Sequence, residues 1–136
     1  MTEAAANETR GEISLTLDGQ EQTLRPSYAA IDAFERETGK GLMALFNEAQ
    51  SGIMPVTTAA VIVMHCMRAQ AALSGDKLGE RVQVKRIAEL IVEADGGVML
   101  VLIRLQRLLL NAASGGYSAS GEVKAATGTK AILDAA

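Results

Sequence analysis

The sequence predicts an α+β protein in which an N-terminal β-hairpin is followed by a mainly helical array of about five helices. An alternating apolar–polar run reverses direction at an Asp-Gly step near residue 18, which is typical of a hairpin. Downstream, apolar residues recur at helical spacing between breaks at Gly, Ser or Pro. About half of the 136 residues are apolar, and they are mostly Leu, Ile, Val, Met and Ala with few aromatics. This composition favours a helical core.

The hairpin is predicted from its alternation and its turn. Asp18-Gly19 suits a tight type I′ turn, because both residue types tolerate the positive φ that this turn requires. Pro26 cannot donate to a strand ladder and disfavours helix at Arg25, so it ends the return strand. The apolar side of the first strand consists of Ile13, Leu15 and Leu17.

The helices are predicted from their caps and their periodicity. Ser27 is placed to cap the first helix, and Gly39 suits the left-handed position after its last residue. Asp32 and Arg36 are spaced as an i,i+4 ion pair on its outer face. The second helix closes at Ser51-Gly52, the third runs from near Pro55 to about Leu73, the fourth from roughly Glu80 to Asp95, and the fifth from Val98 to about Ala113.

The expected organisation is a single domain, because a chain of 136 residues can bury one core and has little room for a second. Residues 1–10 are expected to be a flexible N-terminus, and residues 11–113 the hairpin-plus-helices domain. Residues 114–136 are rich in Gly, Ala, Ser and Thr and are expected to be a flexible C-terminal tail.

Charge and composition disfavour several partners and compartments. The formal charge of −3 and the lack of a long basic run argue against nucleic-acid binding. The polar N-terminus does not look like a secretory signal, and the most apolar run, residues 98–110, is interrupted by Arg104 and Arg107. No membrane association is therefore expected. The single cysteine, Cys66, favours a reducing compartment, so we expect a soluble cytoplasmic protein.

No catalytic, cofactor or metal site is expected. His65 and Cys66 are adjacent, so on a helix they point about 100° apart and form neither a metal site nor a nucleophilic pair. We expect an exposed histidine and a packed thiol. The glycines match neither phosphate-binding nor dinucleotide-binding motifs. Glu35 is interpreted as a rim residue that meets a basic side chain. The chain is therefore not predicted to be an enzyme.

The fifth helix is apolar over most of its circumference. One side forms an ordinary core face, consisting of Val98, Val101, Leu102, Leu105, Leu108 and Leu109. Met99, Ile103 and Leu110 form a second stripe beside it, and Leu100 lies with the polar strip. Such a helix is either a central core helix or meets another chain. The predicted partner-binding residues are Met99, Leu100, Ile103 and Leu110 on this helix, with Met64 and Met67 on the third.

The run GEISLTLDGQEQTLRPSYAAIDAFERETGKGLMAL, residues 11–45, resembles the start of small phage tail assembly chaperones of the gene-transfer-agent type. These are encoded in tail-gene clusters of alphaproteobacterial prophage-like elements. The matching features are a strand ending Leu-Asp-Gly, a return strand ending Leu-Arg-Pro, and a helix reading Ala-Ile-Asp-Ala-Phe-Glu-Arg-Glu-Thr-Gly. The resemblance extends by layout to about residue 112. The segment 68–79 is longer and more polar than the family pattern implies, and the tail after Gly115 has no clear counterpart.

The resemblance implies a non-catalytic tail assembly chaperone that binds the tape-measure protein, keeps its helices soluble and assists tail-tube assembly. The implied partners are the tape-measure protein and the tail-tube protein, and a homo-oligomer remains open. The protein would act in the bacterial host cytoplasm and be absent from the mature particle. The alternative is a structural component of the tail, either a tube or a connector subunit. An enzyme or nucleotide-binding module is disfavoured, because no ligand constellation is present.

Overall fold

A computed structural model describes residues 13–76 and 81–124 and shows the predicted order of a β-hairpin followed by five helices. Strands β1 (Ile13–Leu17) and β2 (Gln20–Leu24) pair antiparallel, with Ile13 opposite Leu24. The predicted fold class is confirmed. The helices are α1 (Tyr28–Thr38), α2 (Leu42–Ser51), α3 (Val56–Ser74), α4 (Val84–Glu93) and α5 (Gly97–Ala113).

The hairpin turn has the predicted geometry. Asp18 and Gly19 have φ values of 54° and 74°, the two positive values that define a type I′ turn. This turn sets the register of the strands, and the alternation of β1 then directs one set of side chains inward. The buried residues of the hairpin are Ile13, Leu15, Leu17 and Leu24.

Both ends of α1 follow the local rules read from the sequence. The Ser27 hydroxyl accepts a hydrogen bond from the backbone N–H of Ala30 at 3.1 Å, and Gly39 ends the helix in the left-handed conformation at φ 71°. Asp32 and Arg36 pair at 2.9 Å on the exposed side. The predicted caps and ion pair are therefore confirmed.

The fourth helix is shorter than the predicted 80–95. Gln83 precedes it in an extended conformation, and Ala94 leaves it at φ −66° and ψ 154°. Residues 77–80 lie outside the described residues. The fifth helix begins one residue before the predicted Val98 and ends at the predicted Ala113.

Helix α3 is the central element of the core. It packs against α1, α4, β2 and α5. Helix α5 in turn packs against α2 and β1. Nine residues of α3 are buried. Among the described residues, α3 is also the one helix long and apolar enough to cross a membrane, but half of the apolar stretch is buried inside the fold. Its apolar composition is therefore explained by its central position.

The chain folds back onto the start of α1 after α5. The carbonyl of Ala119 accepts a hydrogen bond from the N–H of Tyr28 at 2.7 Å, and Arg25 Nη1 donates to the carbonyl of Ser120 at 3.0 Å. Tyr117 is buried and forms a β-bridge with Val123. The packed region thus continues to residue 124, eleven residues beyond the boundary expected at 113. The predicted flexible residues 1–10, and 125–136 of the predicted tail, lie outside the described residues.

Candidate protein-interaction surface

A stripe of large apolar side chains is exposed along α5. Met99 is 74% exposed, Ile103 57% and Leu110 49%. At about 100° per residue these three positions fall within roughly 40° of one another on the helix. We call them the α5 stripe. The sequence-predicted second stripe of this helix is therefore accessible to a partner.

The opposite side of α5 belongs to the core. Its buried residues are Val101, Leu102, Leu105, Leu108 and Leu109, and Val98 is partly buried against them. The two interpretations left open by the sequence thus apply to different sides of one helix. One side packs against the hairpin, α2, α3 and α4, and the other carries the exposed α5 stripe.

Leu100 lies apart from the α5 stripe. It is 39% exposed, and its position on the helical wheel falls with Arg104 and Arg107. Its side chain also packs closely over the start of the helix, since a Cβ added to Gly96 would lie 2.7 Å from the Leu100 Cβ. Leu100 therefore serves partly to close the α4–α5 turn.

Two of the predicted partner-binding residues are not on the surface. Met64 is 3% exposed and Met67 is 9% exposed, and both belong to the core cluster. The sequence-based assignment of these two residues to a binding surface is corrected by the structure. The physical reason is that α3 is covered by α1, α4, β2 and α5 together, so that residues on more than one of its sides are buried.

The α5 stripe lies next to α2. Gln106, which falls beside the stripe on the helical wheel, donates from Nε2 to the carbonyl of Ala49 near the end of α2 at 3.2 Å. Two further exposed apolar residues, Met43 on α2 and Ile53 just after it, were not singled out from the sequence. Helical spacing places Met43 on a different side of α2 from the buried Leu45 and Ala49, whereas Ile53 lies beyond the end of the helix, where this spacing does not apply.

Cys66 and His65, the residues considered as candidate metal ligands or nucleophiles, are packed within the fold or paired with a neighbour. Cys66 is fully buried, and this burial raises the pKa of its thiol to about 12, so the reactive thiolate is not formed near neutral pH. His65 is less exposed than expected and pairs with Glu37 at 2.8 Å. Among residues 13–76 and 81–124, no three His, Cys, Asp or Glu side chains converge as metal ligands.

Glu35 has a different role from the one expected. Its Oε2 accepts a hydrogen bond from the backbone N–H of Leu42 at 2.8 Å, the first residue of α2. The helix has Gly41 at its N-cap, and glycine has no side chain with which to cap it. The predicted contact with a basic side chain is thus replaced by a contact with a helix terminus.

Comparison with known proteins identifies the family. The profile of a family described as phage tail tube protein, GTA-gp10, matches residues 10–116. The chain belongs to this phage tail family. The matched region contains the hairpin and all five helices described above. No curated protein and no solved structure matches the chain significantly.

Membership confirms the predicted relation to phage and gene-transfer-agent tails. It also changes the balance between the two roles considered from the sequence. The family description names a tail tube protein, which agrees better with a structural tail component than with a tape-measure chaperone. The family is structural rather than catalytic.

Proposed function

We propose that this protein is a structural subunit of a phage-type tail, a tube or connector component, that contacts other tail proteins through the α5 stripe. The family description supports the tail role, and the exposure of the stripe supports the choice of surface. The single observation that carries the surface is that Met99 and Ile103 are more than half exposed on a helix whose other side is core.

The α5 stripe has the chemistry of an interface centre. Large apolar side chains aligned on one helix face expose apolar area to water, which is unfavourable in free energy. A partner that covers this area removes the unfavourable exposure. Arg104 and Arg107 lie on the adjoining polar strip of the same helix. An apolar centre with a charged margin is the usual arrangement of protein–protein interfaces.

The experiment is to purify mature particles and quantify the protein in them by mass spectrometry. A structural subunit is expected at a fixed ratio to the major tail proteins. Ile103→Glu should prevent incorporation, because it places a charge at the middle of the stripe. Val92→Glu is the matched control, since Val92 is an equally exposed apolar residue on α4. Particles that lack the wild-type protein would contradict the structural role.

A second candidate is the tail assembly chaperone that binds the tape-measure protein. The observation that favours it is the helical character of the surface, since the only sheet among the described residues is a two-stranded hairpin. An exposed apolar helix face suits the binding of amphipathic client helices. Co-expression with the tape-measure protein of the same tail-gene cluster should then give a complex or increased solubility. Absence of the protein from finished particles would be the second expected result.

Both candidates place the protein in the bacterial host cytoplasm while tails are assembled. They differ in what covers the α5 stripe before assembly. If the stripe mediates self-association, light scattering should show an oligomer that Ile103→Glu converts to a monomer. If it is reserved for a different partner, the isolated protein should be a monomer in both forms.

A further inference from the structure

A second surface, separate from the α5 stripe, lies between α1 and α3. These helices run antiparallel, since Glu37 near the end of α1 pairs with His65 in the middle of α3, while the start of α1 lies beside the end of α3. A groove with a volume of about 500 Å³ follows this seam. Five of its eleven lining residues are alanines, namely Ala29, Ala30, Ala33, Ala69 and Ala72, and we call it the alanine groove.

Two basic side chains are part of the lining of the alanine groove. Arg25 and Arg68 both line it, and none of the described lining residues is acidic. This local charge is opposite to that of the whole chain, which has a formal charge of −3. The groove is therefore matched in charge to an anionic group.

The two arginines are held in place, and neither forms an ion pair with an acidic residue within 13–76 and 81–124. Arg25 donates from Nε to Gln70 Oε1 at 3.1 Å and from Nη1 to the carbonyl of Ser120. Arg68 donates from Nη2 to the carbonyl of Val82 at 2.6 Å, and its Nε is buried with no hydrogen-bond partner. All of these acceptors are uncharged. Because a guanidinium group forms its strongest hydrogen bonds with carboxylates, the described part of the chain does not supply the acceptor that these arginines prefer.

We propose that the alanine groove binds an amphipathic helix of a partner protein, with an apolar side chain over the alanines and a carboxylate beside Arg25 and Arg68. Alanines allow the backbone of a third helix to approach closely, and its side chains can enter the space between α1 and α3. The exposed Leu73 extends the apolar lining at the end of α3. This proposal does not depend on which tail role the α5 stripe serves.

The test uses a synthetic amphipathic helix of about 18 residues, long enough to be helical, with a leucine face bordered by glutamates. A second peptide carries lysines in place of the glutamates. Amide NMR shifts of the full chain are recorded with each peptide. The glutamate peptide is expected to shift the amides of residues 29–33 and 69–73, and the lysine peptide is expected to leave them unchanged. Equal binding of both peptides, or shifts confined to α5, would overturn the proposal.

A pair of matched variants locates the binding. Ala29→Glu places a carboxylate in the groove, where it should compete with the peptide and lower its affinity about tenfold. Ala44→Glu is the control, because it makes the same change in the first turn of α2, away from the groove. Both positions are exposed and favour an acidic residue, so both variants should fold. Equal affinities of the two variants would contradict the proposed site, whereas their thermal unfolding reports separately on the fold.

Discussion

The carboxylate of Glu35 accepts a hydrogen bond from the backbone N–H of Leu42, so a side chain of α1 caps the first turn of α2. This contact spans the turn at residues 39–41 between the two helices. Glu35→Ala should lower the free energy of unfolding by about 1 kcal/mol, the usual cost of losing a helix cap. Urea denaturation measures it. Glu89→Ala, which removes only an exposed contact with Arg86, should change it by less than about 0.5 kcal/mol.

Replacing Ile103 or Leu105 with alanine should change stability by very different amounts, although the two residues lie two positions apart on α5. Leu105 is fully buried, and Leu105→Ala should cost about 2–5 kcal/mol of stability through the cavity it leaves. Ile103→Ala should change stability by less than about 0.5 kcal/mol. Thermal or urea unfolding of the two variants checks this. A large loss for Ile103→Ala would mean that the α5 stripe is covered within the monomer.

Cys66 should make stability fall at high pH. Its folded pKa is about 12, against an ordinary value of 9.0, so the unfolded thiol ionises first. The unfolded state then binds fewer protons than the native state, and stability decreases as the pH rises from 9 towards 12, by at most about 1.4 kcal/mol per pH unit.

Comparison with Cys66→Ala isolates this effect from the titration of lysines and tyrosines. The variant should show a shallower decline between pH 9 and pH 11 in urea titrations. In the native protein at neutral pH the thiol should resist a thiol reagent, and it should react once the chain is unfolded. Rapid labelling of the native protein would contradict the buried position.

Gly121 should be needed to hold residues 114–124 against α1. It has φ +88°, and a Cβ there would lie 2.5 Å from Arg25 Cγ and 2.9 Å from the backbone nitrogen of Ser27. Gly121→Ala should therefore cost more than Gly39→Ala, whose φ of +71° carries the same backbone strain in open space. We expect a difference of at least about 1 kcal/mol.

Amide hydrogen exchange provides a local measurement for the same two variants, Gly121→Ala and Gly39→Ala. The amide of Tyr28 donates to the carbonyl of Ala119, so Gly121→Ala should speed its exchange, whereas Gly39→Ala should not. Unchanged protection of Tyr28 in Gly121→Ala would show that the segment adapts without leaving its place.

Much of the fold could be predicted because its signals are local. A type I′ turn depends on two adjacent residues, and the Ser27 cap on a contact with Ala30, three residues away. The α5 stripe was also predictable, because three residues at helical spacing share a face whatever surrounds the helix.

The remaining features depend on residues far apart in the chain. Glu35 was read from its neighbours in α1, and its true partner lies across a turn in α2. The packing of residues 114–124 depends on Arg25 and Tyr28, about 90 residues earlier. A Gly- and Ser-rich composition indicates weak local preferences, and it does not exclude specific contacts made by the backbone.

By itself, the sequence determined the order of the elements, their caps and the existence of two apolar sides on α5, because these follow from interactions within one turn of helix or one hairpin. Only the tertiary structure decided which apolar residues are accessible. Met64 and Met67 are as apolar as Met99, yet both are buried within α3, whereas Met99 is on the side of α5 that faces away from the core. Burial depends on the neighbours that pack around a residue. The alanine groove likewise depends on tertiary packing, because it is formed where α1 and α3 lie side by side.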